Sequence, residues 1–357
     1  MSRAESTLLR RLAIRLPIIQ APMAGISTPA MAAAVSRAGG LGSLGVGATD
    51  AQAAWRMIEE TRRLHAGPLN VNVFCHAPAD ADAGLESRWI DRFRPQFAAF
   101  DAAPPKRLRE IYRSFVDDPA MLSMLLEAKP SVVSFHFGLP SVDVVRALRE
   151  AGVILLATAT NLDEARAIVT AGVDAIIAQG WEAGGHRGVF DPEAHDDCLG
   201  TMALTRLLVR RFDLPVIAAG GIMDGAGIAA MLSLGAAAVQ MGTAFVSCNE
   251  SAADAGYRAA LGSDAAHHTT MTSAISGRPA RCLRNRFAEF GETVDAPDIP
   301  AYPVAYDLGK ALHTAARAKG EYGFGAQWAG QGAPFARWMQ AERLVAELEA
   351  EMTAADS

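Results

Sequence analysis

Between residues 15 and 245 one unit recurs: a short run of small or β-branched residues, an amphipathic segment rich in Ala, Leu and Arg, then a glycine. The apolar runs are LPIIQAPM (16–23), GLGSLGVG (40–47), LNVNVF (69–74), SVVSFHFG (131–138), VILLATAT (153–160), AIIAQG (175–180), PVIAAGG (215–221) and AAVQMGTAF (237–245). None alternates cleanly between polar and apolar residues. Each therefore reads as a strand covered on both faces, as in a parallel sheet under helices.

The intervening segments carry helix signals. Ser141 or Pro140 opens VDVVRALREAG, and Asn161 with Glu164 reads as a capping box for LDEARAIVTAG. The exits RAGG, EAGV, TAGV and SLGA each place a glycine where a closing helix needs left-handed backbone. Eight such units predict a closed (β/α)8 TIM barrel. A doubly wound open sheet is the runner-up, and no GxGxxG follows the first run to favour it.

Two stretches break the beat. Residues 75–130 are far longer than one connecting helix and predict a helical insertion; residues 250–357, rich in Pro, Tyr and Gly from 291 to 335, predict a cap on the barrel mouth. The barrel is then expected from residues 1–74 and 131–249, and the final TAADS is expected to fray.

With 33 Lys and Arg against 39 Asp and Glu and no basic stripe, nucleic acid is not an expected partner. Cys75, Cys198, Cys248 and Cys282 form no CxxC pair, which predicts reduced, buried thiols rather than a zinc site or disulfide framework. The arginine-broken N-terminus lacks a secretory pattern, and no stretch has the uncharged length of a membrane span. A cytoplasmic protein is expected, with no membrane partner.

In such a barrel the chemistry lies where strands end. Those ends are rich in glycine, amide and histidine and poor in carboxylates, with Glu182 the one strong acidic candidate. Paired-carboxylate glycosidase chemistry is therefore set aside. No metal site is expected: His136 and His186 lack an evident third ligand, HDDC (195–198) reads as a turn, and His267–His268 as a surface or helix-end pair. Gly220–Gly221 and Gly242–Thr243 follow the last two runs, where barrels commonly grip phosphate. Asn72, Gln179 and Gln240 offer amides suited to a flavin edge, or simply to unpaired backbone.

His186 stands among four glycines in GWEAGGHRG (180–188). A ring that titrates near neutrality can serve there as a base or as an anion's partner; a structural ring capping the loop is the alternative. His136, between two phenylalanines, is either a core histidine or a substrate contact. Strand alternation would turn it to the mouth while Phe135 and Phe137 pack outward. Tyr302, Tyr306 and Lys310 are four apart and share a face if helical, although Pro303 disturbs the start. They read as a cap over an anionic substrate or as a surface stripe. Trp328 and Gln331 are candidates for closing the cofactor edge, with core packing the equal alternative for the tryptophan.

The segments LPIIQAPMAGISTPAMAAAVSRAGGLGSLG, SFHFG, AQGWEAGGHRG, PVIAAGGI and VQMGTAF together resemble the nitronate monooxygenase family. SGRPARCLRNRF, YPVAYDLGK and WAGQGA resemble its bacterial class I branch. The resemblance implies an FMN-dependent barrel that oxidises alkyl nitronates such as propionate 3-nitronate with O2, giving a carbonyl product and nitrite. It implies FMN contacts at Asn72, Gln179, Gly184 with Gly185, Gly221 and Gln240, Met241, Gly242 and Thr243. Met23 would lie near the ring and His186 would be the active-site histidine. The rivals are an NAD(P)H-dependent enoyl or quinone reductase on the same barrel, and a non-catalytic flavin- or phosphate-binding protein.

Overall fold

The computed structural model describes residues 3–80 and 82–355. Its strands, in chain order, are β1 (Ile18–Gln20), β2 (Gly42–Gly45), β3 (Leu69–Phe74), β4 (Val132–His136), β5 (Ile154–Ala159), β6 (Ala175–Gln179), β7 (Gly185–His186), β8 (Val216–Ala219), β9 (Ala238–Met241), β10 (Thr269–Thr272) and β11 (Ala280–Leu283). All but β7, β10 and β11 form one parallel sheet ordered β1-β9-β8-β6-β5-β4-β3-β2. A parallel bridge from Ile19 to Leu41 joins its two ends and closes the barrel. The eight apolar runs are these eight strands.

The missing alternation has a direct cause. On β4, Val133 and Phe135 face outward into the core beneath the helices, while Val132 joins an interior cluster with Ile19, Leu156, Ile177 and Ile217. Both faces are apolar because both are buried. The helix Arg3–Leu12 closes the N-terminal end of the barrel: Leu8, Leu9 and Leu12 complete that interior cluster, and Arg11 pairs with Asp174 at 2.7 Å.

Local signals explain the helices. Ser141 Oγ accepts from Val144 N, and Asp50 caps Ala51–Leu64 through Ala53 N. Gly39, Gly152, Gly172 and Gly235 follow their helices at φ +98°, +86°, +79° and +100°, as the repeated exits require. The expected capping box is only half formed. Asn161 Oδ1 accepts from Glu164 N at 2.9 Å, but Glu164 Oε2 bonds Thr160 N and Oγ1 at 2.6 and 2.7 Å, and its Oε1 takes Phe190 N. The carboxylate ties its helix to the loop after His186.

Within residues 75–130, the helix Pro119–Ala128 packs against the barrel helices Ala51–Leu64 and Val142–Glu150. The helix Ala83–Ala98 instead meets Val304–Arg317 from the C-terminal region. Trp89, Phe93 and Phe97 there join Phe287, Leu308, Leu312 and Phe324 in an apolar core of their own. The last helix, Ala341–Ala355, returns to the barrel flank against Gly225–Ser233 and Pro29–Arg37. Of TAADS, Thr353–Ala355 remain helical; Asp356 and Ser357 lie outside the described residues. A second sheet, antiparallel and ordered β10-β11-β7, pairs His186 with Ala280 and Gly185 with Arg281. It fixes the glycine-rich loop to the C-terminal region.

Candidate active site

A cavity of about 320 Å³ opens at the C-terminal ends of the barrel strands. Apart from Gln331, the residues proposed for catalysis, cofactor or substrate line it. Met23 comes from the segment after β1, Asn72 from β3, His136 from the end of β4 and Gln179 from the end of β6. Gly184, Gly185 and His186 form one wall, Gly221 follows β8, and Gln240, Met241, Gly242 and Thr243 bracket the end of β9. Tyr302, Tyr306 and Lys310 reach in from the C-terminal region, together with Trp328.

The three amides have different surroundings. Asn72 Nδ2 donates to the carbonyl and hydroxyl of Ser134, both at 3.0 Å. Gln179 is engaged at both ends: Nε2 donates to His186 O at 3.0 Å and Oε1 accepts from Gly188 N at 2.7 Å. Its amide braces the loop, and Nε2 and Oε1 each keep one further hydrogen-bonding position. Gln240 Oε1 is buried with no hydrogen-bond partner among the described residues. A buried acceptor left unpaired is costly, so this atom fits a donor on a bound group.

Gly220 and Gly221 adopt φ +123° and +70°, which glycine alone tolerates readily. Thr243 Oγ1 accepts from Gly330 N at 3.0 Å, tying the β9 end to the C-terminal region. Gly184 is required by packing, since a Cβ there would stand 2.3 Å from Gly330 N.

His186 is half-buried among Phe137, Tyr302 and Trp328, with ring centroids at 5.5, 5.3 and 5.1 Å. Its Nε2 lies 2.9 Å from Ser276 Oγ. Burial, then the neighbouring His136 and Arg278, push its pKa down to about 3. His136 uses both nitrogens on protein: Nδ1 meets Thr158 Oγ1 at 3.1 Å and Nε2 meets His186 O at 3.3 Å. Burial lowers it to about 4 despite that bond. Both rings are neutral at pH 7. His136 faces the mouth and Phe135 packs outward, as alternation requires. Phe137 does not follow: its φ of +72° turns the ring into the cavity wall, with the Arg278 guanidinium 4.4 Å from its centroid.

Tyr302 precedes the helix Val304–Arg317, and Tyr306 and Lys310 lie one turn apart on it. Tyr302 Oη is buried with no hydrogen-bond partner among the described residues, and burial raises its pKa well above the ordinary phenol value. Burial and Tyr112 raise Tyr306 to about 12. Lys310 is exposed, with Nζ 5.3 Å from the Tyr112 ring and 5.4 Å from the Tyr306 ring. Tyr112 was not foreseen; it arrives from the insertion with no periodic pattern to mark it. Ser276 lay in the noticed SGRPA motif, whose serine was not singled out.

Other candidates have structural duties. Glu182 Oε2 accepts from Thr201 N and Oγ1, both at 2.8 Å, and so caps the helix Thr201–Arg211, whose N-cap Gly200 supplies no side chain. Asp196 of HDDC pairs with the buried Arg187 at 2.7 Å. Cys75, Cys248 and Cys282 are buried free thiols, but Cys198 is exposed because it sits in that turn at φ +52°. His267 and His268 are exposed beside a surface hollow that also holds Gln331, so Gln331 does not line the site. Among the described residues no group of three or more His, Cys, Asp or Glu could hold a metal, and no helix is long and apolar enough to cross a membrane.

A closed parallel barrel whose strand ends surround an amide- and glycine-lined cavity defines a (β/α)8-barrel enzyme. The family model described as nitronate monooxygenase matches residues 5–351. The chain is 61% identical to the nitronate monooxygenase of Paraburkholderia phytofirmans, over 97% of this chain and 94% of that one. It is 54% identical to the nitronate monooxygenase of Pseudomonas aeruginosa, over 96% and 98%. Among solved structures, a nitroalkane oxidase from Streptomyces ansochromogenes superposes with TM-score 0.88 at 41% identity, over 98% of each chain. FabK from Thermotoga maritima superposes with TM-score 0.76 at 29% identity, over 100% of this chain and 98% of that one. This chain belongs to the nitronate monooxygenase family of flavin-dependent oxidoreductases.

Proposed function

We propose that the protein oxidises small alkyl nitronates, with FMN as its resident cofactor and O2 as oxidant, to a carbonyl product and nitrite. The observation that carries this reading is the unpartnered Oε1 of Gln240 in the wall of a cavity ringed by glycines. A flavin ring presents an N–H donor of the kind that atom lacks, and backbone N–H groups about Gly221, Gly242 and Thr243 suit a phosphate. FMN bound there supplies the electron acceptor that no side chain provides.

The protein's own groups bind and orient the substrate. Lys310 at the rim offers a cation to a carboxylate, which favours nitronates of the propionate 3-nitronate type. Tyr302 Oη, with no partner among the described residues, and Tyr306 offer hydrogen bonds to the anion. His186 orients the nitronate or takes the α-proton of a neutral nitroalkane; His136 and Gln179 hold its main chain in place.

Nitrite release and O2 uptake with propionate 3-nitronate test the proposal. Oxidation of NADH without nitrite release would replace it with the reductase reading. Bound FMN with neither activity would leave a binding protein.

A further inference from the structure

We infer that Ser276 is the positioning residue for His186: it holds the ring as the Nε2–H tautomer and so leaves Nδ1 as the proton acceptor. The inference deepens the proposed function and rests on it. Ser276 is fully buried, with Oγ 2.9 Å from His186 Nε2 and 3.2 Å from the carbonyl of Arg278. A serine hydroxyl has one proton to donate. No other donor among the described residues reaches the Arg278 carbonyl, so donation to Nε2 would leave that acceptor unpaired. With the hydroxyl proton on Arg278 O, Ser276 Oγ accepts, and Nε2 must carry hydrogen.

Burial keeps the ring neutral at pH 7, so it holds a single nitrogen-bound proton and Nδ1 is bare. Nδ1 makes no hydrogen bond to a described residue, and His186 lines the cavity. The main chain gives the ring little freedom: His186 pairs with Ala280 on β11, and Arg187 N donates to Pro279 O at 2.8 Å.

The step balances within substrate and ring. The α C–H bond of a neutral nitroalkane breaks, its proton passes to Nδ1, and its electron pair forms the C=N bond of the nitronate. The imidazolium keeps its Nε2–H bond to Ser276. A preformed nitronate skips this step.

Histidine-15N labelling of the holoenzyme, with His186→Asn to assign the signals, reads the tautomer directly. Wild type is expected to show protonated Nε2 and bare Nδ1, and Ser276→Ala to lose that preference, while Ser276→Thr, which retains a hydroxyl, keeps it. In Ser276→Ala, kcat/KM for nitroethane should fall about tenfold to a hundredfold more than for ethyl nitronate, with Thr restoring the ratio. Protonated Nδ1 in wild type, or equal losses on the two substrates, overturns the inference. Failure of wild type to release nitrite from ethyl nitronate would sink the functional reading instead, and the tautomer signal separates the two failures.

Discussion

Gln179 and His186 are locked together through the main chain: the Gln179 amide donates to the His186 carbonyl at 3.0 Å, and its other end receives Gly188 N at 2.7 Å. His136 reaches the same carbonyl from the end of the neighbouring β4. The glycine-rich loop is thus braced by two strand ends and by β11, and its one imidazole sits in a fixed place.

Gln179→Ala removes both bonds, leaving the His186 carbonyl with His136 alone and the buried Gly188 amide without its acceptor, at about 1–3 kcal/mol for that unsatisfied group. Urea denaturation of the holoenzyme should show that loss. The kcat with nitronate should fall roughly tenfold or more, because a displaced ring loses orientation.

Lys310 is expected to act on substrates that carry a carboxylate. Lys310→Met should raise KM for propionate 3-nitronate about tenfold more than KM for ethyl nitronate, as expected when a charged hydrogen bond is removed. Equal changes for both substrates would remove Lys310 from carboxylate binding.

Gly184→Ala should weaken flavin retention and stability together. The added Cβ would stand 2.3 Å from Gly330 N and 2.5 Å from the Ala329 carbonyl carbon, and both are backbone atoms that must move. Overpacking of this kind costs about 1–3 kcal/mol. A thermal melt and the flavin-to-protein absorbance ratio after gel filtration measure it.

Three buried imidazoles set a pH dependence of stability. His76, His136 and His186 are lowered from 6.5 to about 4, 4 and 3, in each case chiefly by burial. Between those values the unfolded chain binds more protons than the folded one, so stability is lost as pH falls from about 6.5 toward 4. His76 is the cleanest probe. It packs 4.9 Å from Tyr302 and 6.3 Å from Phe137, near the Tyr112 main chain, and neither ring nitrogen makes a hydrogen bond of good geometry. His76→Phe should keep stability at pH 7 and flatten the acid limb by about one third. Denaturation curves at pH 7, 5.5 and 4.5 check it.

Much of the barrel could be read from the chain because strands buried on both faces leave continuous apolar runs, and because Gly39, Gly152, Gly172 and Gly235 mark the helix exits. The lining of the candidate cavity could be read where polar side chains coincide with strand ends, as at Asn72, His136, Gln179 and Gln240. What escaped depends on contacts distant in sequence. Tyr112 reaches the mouth only because the insertion folds onto the C-terminal helix, and Ser276 meets His186 only through the β7–β11 pairing. Phe137 departs from strand alternation because its backbone turns left-handed at the strand end. That the Gln179 amide also braces backbone is decided by a loop seven residues on.

The central claim is that a flavin occupies the mouth cavity and accepts electrons from a nitronate held beside His186. The visible absorption spectrum of the purified protein under argon, before and after adding propionate 3-nitronate, tests it most directly. The account predicts a yellow protein whose flavin bands fall on adding nitronate and return with air, and that NADH leaves unchanged. A colourless protein that takes up no added FMN, or flavin bands indifferent to nitronate, would contradict it.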